Sequence, residues 1–356
     1  MQLKTMGFDK WFQDNIDGRA LMDRRISRIL AVDRDSYLLQ GEVPAVRGEL
    51  AGKLQFSAES AMDFPAVGDW VTARYFDEDS FAIIHDILPR KSVLRRKTSG
   101  KKIAYQLIAA NIDTAFIVQS LDNNFNLRRL ERYLVMIHDG GIAPFLLLSK
   151  SDLLESCDIN EKVKEIHALT PDLPALAFSN KTQAGIERIK EILIPAKTYC
   201  LLGSSGVGKT TLINSLVGEN AFETRSVREK DGKGRHATSR RQLIFLKNNA
   251  MIIDTPGMRE LGNIGVDTGL QGVFDDIQAL SRTCRYRNCT HVNAKGCAVE
   301  SAVKAGRIPQ DRYQSFLKLA RESMYNEMSY LEKRQRDRAF GKMVKSVMKS
   351  KKKHRP

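Results

Sequence analysis

The spacing of apolar and polar residues divides the chain into regions with different patterns. Between residues 24 and 90, short β-prone runs alternate with turn residues, and strands are predicted at 26–32, 36–39, 43–50, 69–74 and 81–84. Several short strands in this length predict a small β-barrel, either an OB-fold or an SH3-like barrel. Residues 1–23 are mixed in character and are interpreted as a loosely packed arm.

Between residues 101 and 261, strand and helix patterns alternate, which is typical of a doubly wound parallel sheet. Strands are predicted at 114–118, 143–148 and 175–178, and helices with one apolar face are predicted between them. The basic run at 90–97 is interpreted as a linker that contacts a polyanion, or as a merely solvated connection.

The segment G-S-S-G-V-G-K-T at 203–210 fills every fixed position of the pattern G-x-x-x-x-G-K-[ST]. An apolar strand is predicted before it and a helix after it, so a simple Gly/Ser-rich turn is the weaker interpretation. Backbone N–H groups of such a loop converge on phosphate oxygens, and the helix N-terminus adds its positive dipole. Lys209 is expected to reach the β- and γ-phosphates, and the Thr210 hydroxyl to ligate Mg²⁺. The predicted phosphate-binding residues are Gly203, Ser204, Ser205, Gly206, Val207, Gly208, Lys209, Thr210 and Thr211.

Two later segments resemble the switch regions of GTPases. Asp254 ends an apolar strand and precedes T-P-G, so it is placed to hold Mg²⁺ through water. The N–H of Gly257 is placed to donate to a γ-phosphate oxygen. Residues 223–241 are too polar to pack, and Thr238 is the candidate switch hydroxyl for Mg²⁺. The same composition fits a disordered loop, and both descriptions hold if the γ-phosphate orders the loop.

The sequence S-K-S-D at 149–152 follows a predicted strand and resembles the N-K-x-D motif with which GTPases bind guanine. Asp152 would accept hydrogen bonds from the N1 and N2 donors of guanine, while the stem of Lys150 covers the base. Ser149 replaces the usual Asn, so that one stabilising side-chain contact is shortened or lost. The loop that touches guanine O6 would follow the next strand, where Asn180 replaces the usual Ala. The predicted base-side residues are Ser149, Lys150, Ser151, Asp152, Ser179 and Asn180; a strand-end turn without function is the alternative.

These motifs stand in an unusual order along the chain. The base motif comes first, then the phosphate loop, and the two switch segments come last, whereas an ordinary GTPase begins with the phosphate loop and ends with the base motif. The order indicates a circular permutation, which a domain tolerates when its original termini lie close together. Both switch segments are then followed directly by the C-terminal region.

A metal site is predicted from the spacing Cys284-x4-Cys289-x-His291-x5-Cys297. Three thiolates and one imidazole make a closed tetrahedral set, which suits one structural Zn²⁺ per chain. The alternative is a group of free structural cysteines. The chain has 5 cysteines, an odd number, and three of them are crowded between positions 284 and 297, which argues against a disulfide framework.

The charge of the chain indicates a polyanionic partner. It carries 57 Lys and Arg against 42 Asp and Glu, a formal net charge of +15, which favours nucleic acid. Residues 333–356 hold 11 Lys and Arg and a single acid, and are interpreted as a clamp on RNA phosphates, with a solvated tail as the alternative. Neither a membrane-length apolar run nor a signal-peptide pattern is found, so a cytoplasmic protein without membrane contact is expected.

The catalytic group that positions water is not in its usual place. Ras-like enzymes have a Gln after the switch-II glycine, and this chain has Met258 there. The nearest candidate is His236, whose neutral imidazole could accept a hydrogen bond from the attacking water. His236, Lys209 and Thr238 are therefore the predicted catalytic residues. The alternative is that His236 contacts RNA, or nothing.

Together these motifs resemble the RsgA family, the circularly permuted GTPases that act in maturation of the small ribosomal subunit. The most specific pieces are G-S-S-G-V-G-K-T-T at 203–211, G-R-H-A-T at 234–238, D-T-P-G-M-R-E-L at 254–261 and C-x4-C-x-H-x5-C. The resemblance covers essentially the whole chain. It implies an OB-fold for the barrel, GTP hydrolysis stimulated by the small subunit, and a role in late assembly involving ribosomal RNA.

We therefore expect a multidomain protein: an OB-fold barrel with arm and linker at 1–98, a circularly permuted α/β GTPase domain at 99–265, and a mainly α-helical zinc domain with a basic tail at 266–356. The predicted function is hydrolysis of GTP, with Mg²⁺, as a release switch on the small subunit, by a monomer. One alternative is a nucleotide-gated RNA-binding adaptor with negligible turnover. Another is a kinase or ATPase with the same phosphate loop, against which the S-K-x-D motif counts.

Overall fold

The structure is a computed structural model of the chain, and it describes residues 2–16, 23–34, 36–97, 105–218, 241–254, 267–327 and 332. The chain divides into two compact units. The first is made of residues 1–96 and 106–261, and the second of residues 97–105 and 262–356.

Five strands near the N-terminus close into a barrel, as the short β-prone runs predict. They are β1 (Arg25–Val32), β2 (Tyr37–Gln40), β3 (Val46–Leu50), β4 (Trp70–Phe76) and β5 (Phe81–Ile87). The pairing runs β1-β2-β3-β5-β4, and β4 pairs again with β1, so the barrel is closed. Two short helices accompany it, α1 (Lys10–Asp14) before β1 and α2 (Gly52–Ser57) between β3 and β4. The β-barrel predicted from these short strands is therefore confirmed.

The N-terminal segment is packed against the barrel. Met6, Phe8 and Phe12 are buried and contact Trp70 on β4. The rings of Phe8 and Trp70 meet edge to face, with their centroids 4.9 Å apart. The interpretation of this segment as a loosely packed arm is therefore wrong for the described residues 2–16. Its apolar residues are too irregularly spaced to show a period, yet they fill one hydrophobic cluster.

Residues 90–96 belong to the first unit and are folded into it, so they do not form a linker. The guanidinium of Arg90 makes two hydrogen bonds with the carboxylate of Asp69, at 2.7 and 2.8 Å. Asp69 is fully buried, and burial raises its pKa although Arg90 acts in the opposite direction. Strand β6 (Val93–Lys97) pairs with β7 (Tyr105–Ala110) in a separate sheet. The basic residues thus belong to a buried ion pair and a strand, which composition alone does not distinguish from a linker.

The parallel sheet predicted between residues 101 and 261 is confirmed. Its strands are β8 (Thr114–Ser120), β9 (Ala143–Ser149), β10 (Ala175–Ala177), β11 (Thr198–Leu202), β12 (Arg241–Phe245) and β13 (Met251–Asp254). Neighbours in the order β10-β9-β8-β11-β13 are parallel, and β12 is antiparallel to β13. Its helices are α3 (Leu127–Asp139), α4 (Ser156–Leu169), α5 (Ile186–Ile192) and α6 (Lys209–Val217). Because β12 also pairs with β1, an 11-stranded sheet runs through the described residues of both regions.

A buried arginine joins the barrel to the parallel sheet. Arg28 lies on β1 and is 1% exposed. Its guanidinium donates to three backbone carbonyls, one hydroxyl and one thioether sulfur, which belong to Met6, Gly68, Asn111, Thr198 and Met251. These acceptors are uncharged, and burial lowers the pKa of Arg28 to about 10. Hydrogen bonding at every nitrogen offsets part of the cost of removing this cation from water.

The described residues of the second unit are mainly helical, as predicted. Its helices are α7 (Asp267–Val273), α8 (Asp275–Ser281), α9 (Ala298–Lys304) and α10 (Gln310–Glu327). The helix predicted around residues 313–319 is part of α10, and Phe316 on this helix is buried. Its ring meets that of Phe274 edge to face, with the centroids 5.5 Å apart.

Candidate functional site

The glycine-rich segment at 203–210 turns sharply between β11 and α6, as its pattern predicts. Backbone φ is +153° at Gly203, +79° at Gly206 and +93° at Gly208, values that favour glycine. A Cβ on Gly203 would lie 2.4 Å from the carbonyl oxygen of Val118 on β8, so only glycine fits there. The loop therefore has the close-packed, left-handed turns with which backbone N–H groups surround an anion.

Lys209 begins α6, and its ammonium group lies over the loop. Nζ donates to the carbonyl oxygens of Gly203 and Ser204, at 2.7 Å each. Thr210 follows in the first turn of the helix and is exposed. The charge of the lysine and the positive end of the helix dipole thus act on the same small region, which suits a phosphate chain.

The base motif lies at the end of β9, with β8 between it and the phosphate-loop strand. Lys150 has a φ of +60°, and a single 3-10 turn follows it. The hydroxyl of Ser179 donates to Oδ1 of Asp152 and accepts two backbone N–H groups at 3.1 Å. Asp152 is exposed and yet oriented by Ser179, as expected for a carboxylate that accepts hydrogen bonds from a base.

Ser149 and Asn180 connect the base side to the phosphate loop. Ser149 is fully buried, and its hydroxyl donates to the carbonyl oxygen of Val207 at 2.7 Å. Nδ2 of Asn180 donates to the carbonyl oxygen of Gly208 at 3.0 Å. The sequence raises the possibility that replacing Asn by Ser loses a stabilising contact, but in this structure the serine hydroxyl bonds directly to the loop.

A polar turn after β8, which no motif marks in the sequence, holds the lysine of the base motif. The ammonium group of Lys150 lies 2.7 Å from Oδ2 of Asp122, and the hydroxyl of Ser120 donates to Oδ1 at 2.6 Å. Partial burial acts to raise the pKa of Asp122, but the contacts with Lys150 and Ser120 lower it to about 2. The carboxylate is therefore charged at neutral pH and fixes the lysine in place.

The same turn reaches the phosphate loop. Nδ2 of Asn124 and Nη1 of Arg129 donate to the hydroxyl oxygen of Ser204, at 3.0 and 2.8 Å. The signal that could have located this turn is its run of Asp and Asn directly after a buried strand, since side chains at the carboxyl ends of neighbouring parallel strands meet at one edge.

Asp254 ends β13, which is parallel to β11 and next to it in the sheet. Its carboxylate is therefore carried at the same edge as the phosphate loop, where a role in binding Mg²⁺ was predicted. His236, Thr238 and Gly257 lie outside the described residues, and their roles stay predictions.

Cys284, Cys289, His291 and Cys297 come together in the second unit, with their ligand atoms within 4.8 Å of one another. Nδ1 of His291 lies 3.6 Å from Sγ of Cys284 and 3.5 Å from Sγ of Cys297. Tetrahedral zinc with its usual bond lengths requires ligand separations of roughly 3.5–3.8 Å. The two distances from His291 match this requirement, and a cluster of three cysteines and one histidine indicates a metal site that suits zinc.

The N-terminus of α9 supports two of these sulfur atoms. Cys297 is the N-cap residue, and its Sγ accepts the backbone N–H of Glu300 at 3.4 Å. Sγ of Cys284 accepts the N–H of Ala298 at 3.4 Å. Burial acts to raise the pKa of the Cys284 thiol, but the backbone N–H groups bring it below its ordinary value. Such donors stabilise thiolate, the form of cysteine that binds zinc.

Solved structures share this fold. The crystal structure of YjeQ from Thermotoga maritima superposes with a TM-score of 0.60 and 24% identity, over 85% of this chain and 99% of that one. The structure of YloQ, described as a circularly permuted GTPase, gives a TM-score of 0.60 and 21% identity, over 88% of this chain and 100% of that one. At these identities the likeness concerns the fold.

Fold and motifs together define a P-loop GTPase of circularly permuted chain order, with an N-terminal barrel and a C-terminal Cys3His cluster. Residues 87–264 match the sequence profile of the RsgA GTPase family. The chain belongs to the RsgA family of GTPases and is therefore a GTP hydrolase.

Proteins with curated names align along nearly the whole chain. The small ribosomal subunit biogenesis GTPase RsgA 2 of Vibrio parahaemolyticus is 36% identical over 351 residues, covering 99% of this chain and 94% of that protein. The protein of the same name from Lactiplantibacillus plantarum is 41% identical over 318 residues, covering 89% of each. Among the described residues, the helices are too short or too polar to span a membrane.

Proposed function

We propose that this chain is a cytoplasmic factor of small ribosomal subunit biogenesis, which binds the subunit and its ribosomal RNA and uses GTP hydrolysis as a release switch. The binding of GTP is supported by the contact between the base side of the site and the phosphate loop. Ser149 and Asn180 donate hydrogen bonds to the carbonyl oxygens of Val207 and Gly208, so the base side is bonded directly to the phosphate loop. The names of the aligned relatives support the ribosomal part.

In this proposal each part of the site has a separate task. Asp152, oriented by Ser179, accepts the guanine N1 and N2 hydrogen atoms, and the stem of Lys150 covers the ring. Lys209 binds the β- and γ-phosphates. Mg²⁺, when bound, neutralises charge that develops on the phosphates, and the residues that would hold it are Thr210, Thr238 and Asp254. Gly257 would bind the γ-phosphate through its N–H.

Binding to ribosomal RNA is supported by charge. The net charge of the chain is +15. Basic side chains surround the zinc cluster, and all are exposed: Arg282, Arg285, Arg287 and Lys295. The basic tail at 333–356 lies outside the described residues and adds 11 Lys and Arg in sequence. Contacts with phosphates would dominate, so affinity for the subunit should fall steeply as salt rises.

Multiple-turnover release of phosphate from GTP, with and without purified small subunits, tests the proposal. We expect slow release by the isolated chain and strong stimulation by subunits. Release that stays negligible with subunits would instead identify an adaptor, and competition by ATP equal to that by GTP would favour an ATPase or kinase. A chain ending at residue 340 tests the RNA part, because it should bind subunits more weakly while its affinity for GDP is unchanged.

A further inference from the structure

Two adjacent carbonyl groups of the phosphate loop are each held by a side chain from the base side. The hydroxyl of Ser149 lies 2.7 Å from the carbonyl oxygen of Val207, and Nδ2 of Asn180 lies 3.0 Å from that of Gly208. Ser149 ends β9, whereas Asn180 follows β10, the next strand of the sheet. The two donors therefore reach the loop from separate segments of the chain.

Both positions differ from the pattern usual in GTPases: position 149 has lost a carboxamide side chain, and position 180 has gained one. Asn is usual where Ser149 stands, and a small Ala is usual where Asn180 stands. The carboxamide is missing from one position and present at the other, while both positions make a contact with the loop. Because the two acceptors belong to consecutive residues, a change at one position alters the backbone that the other position binds.

Packing at the two positions is tight. Ser149 is 0% exposed, and its Oγ lies between two carbonyl oxygens, 2.7 Å from that of Val207 and 3.3 Å from that of Gln119. An Asn in this place would have to displace one of these groups. On the other side, Nδ2 of Asn180 lies only 2.5 Å from where a Cβ of Gly208 would be, so the amide rests directly on the glycine.

Each member of the pair is also adjacent to the carboxylate predicted to recognise guanine. Asn180 follows Ser179, whose hydroxyl donates to Oδ1 of Asp152, and Ser149 begins the S-K-S-D motif that Asp152 ends. A change in the contacts of the pair would therefore move the phosphate loop relative to Asp152. The distance between the site for the guanine base and the site for the phosphates would then change.

We propose that Ser149 and Asn180 are a compensating pair of positioning residues, in which the amide of Asn180 and the hydroxyl of Ser149 together hold the phosphate loop, at positions where GTPases usually have Ala and Asn. The pair sets the spacing between Asp152 and the loop, and thereby the affinity and selectivity for guanine nucleotides. The inference rests on the proposed function, because it concerns the same nucleotide site. It opposes the simple expectation that restoring Asn at position 149 improves guanine binding.

A double-mutant cycle on the full chain tests the pair, with dissociation constants for GDP and ADP as the readout. Ser149→Asn should weaken GDP binding by roughly tenfold through crowding, and Asn180→Ala should weaken it by roughly three- to tenfold through loss of a donor. The double variant restores the usual Asn and Ala, and should bind GDP within about threefold of the unaltered chain. Selectivity for GDP over ADP should fall in each single variant and return in the double variant, which general destabilisation would not produce.

Two further variants test whether the hydrogen bond from Asn180 to Gly208 is itself responsible for the effect on GDP binding. Asn180→Asp keeps the shape of the side chain and removes the donor, so it should weaken GDP binding at least as much as Asn180→Ala. Asn248→Ala removes the same kind of contact elsewhere in the unit, where Nδ2 of Asn248 donates to the carbonyl of Leu193 at 2.7 Å. This control should leave GDP affinity unchanged.

The possible results distinguish the pair from the proposed function. If the unaltered chain prefers GDP to ADP but the double variant binds GDP no better than the weaker single variant, the hypothesis that the two residues compensate is wrong, while the proposed function is retained. Equal binding of GDP and ADP by the unaltered chain would overturn both. If melting curves show that Ser149→Asn does not fold, an Asn180→Asp variant with unchanged GDP affinity would by itself overturn the pair.

Discussion

The guanidinium of Arg129 on α3 donates a hydrogen bond to Ser204 of the phosphate loop, with Nη1 and Oγ 2.8 Å apart. The same nitrogen donates to Oδ1 of Asn124 at 2.8 Å, and Nδ2 of Asn124 donates to Ser204 at 3.0 Å. Helix α3 therefore holds the start of the loop, while Ser149 and Asn180 hold its end.

Replacing Arg129 by Met keeps the aliphatic length of the side chain and removes its donors. We expect affinity for GDP and GTP to fall by roughly three- to tenfold, because the start of the loop loses part-buried hydrogen bonds. The preference for guanine over adenine should persist, since Ser204 belongs to the phosphate side. Nucleotide titration checks both points, with Arg188→Met as a control that removes an exposed charge from α5. A loss of selectivity without loss of affinity would contradict this assignment.

Changing Asp152 to Asn should change which base is bound. The carboxylate accepts two N–H groups from guanine in our proposal, whereas an Asn can accept one and donate one. Xanthine carries a carbonyl where guanine has its amino group, so it matches Asn. We expect GDP affinity to fall roughly 10²-fold and affinity for xanthosine diphosphate to rise, as measured by competition. Competition by ADP as strong as by GDP in the unaltered chain would show that Asp152 does not read the base.

The parallel strands could be predicted because strands covered on both faces appear as uninterrupted apolar runs, as in β11, where every residue is buried. Strand β12 has no such run, because Arg241 and Gln242 are partly buried and mixed with apolar residues. Its place is decided by pairing with β1 and β13, which are far away in sequence. Local patterns carry no information on such partners.

The features of the site likewise divide into those that the sequence predicts and those that only the fold reveals. The phosphate loop and the Cys3His cluster could be predicted because each is a contiguous motif whose spacing is set by one ligand. The contact of Arg129 with Ser204 and the ion pair of Lys150 with Asp122 join residues that are 75 and 28 positions apart. Neither partner is unusual by itself, so such contacts become visible only when the sheet brings the strand ends together.

The cluster at 284–297 should hold one zinc ion, and its removal should unfold the described helices of the second unit. Metal binding contributes to the free energy of folding in small domains of this kind. Elemental analysis of protein purified without chelator should give one zinc per chain, and Cys289→Ser should bring that value close to zero. Cys157→Ser is the matched control, because Cys157 is exposed on α4 and outside the cluster. Purified protein without zinc would refute the site.

Arg28 should be important for stability although it has no carboxylate partner at contact distance in the described structure. Arg28→Met would leave the buried carbonyls of Gly68 and Asn111 without this donor. We expect the free energy of unfolding to fall by about 2–4 kcal/mol, as measured by urea denaturation. Arg25 lies on the same strand and pairs with Asp79 at 2.8 Å near the surface. Arg25→Met should change stability little, and an equal effect of the two variants would contradict a special role for Arg28.

The last prediction concerns the water-positioning group, which is inferred from sequence because His236 and Met258 lie outside the described residues. Met258 has no useful donor or acceptor where Ras-like enzymes carry Gln. His236 lies two residues before Thr238, the hydroxyl predicted to bind Mg²⁺, so we expect its imidazole to act near the γ-phosphate. A neutral imidazole accepts a hydrogen bond from water and loses this ability when protonated.

His236→Ala should therefore lower the subunit-stimulated rate by about 10²-fold or more, while GDP affinity and subunit binding stay nearly unchanged. The stimulated rate of the unaltered chain should also fall at acidic pH, where a protonated imidazole no longer accepts a hydrogen bond from water. That pH dependence should be absent from the variant. His167→Ala, on α4, is the control and should keep both the rate and its pH profile. A stimulated rate equal to that of the unaltered chain would show that His236 does not position the water and would leave it a role in contacting RNA.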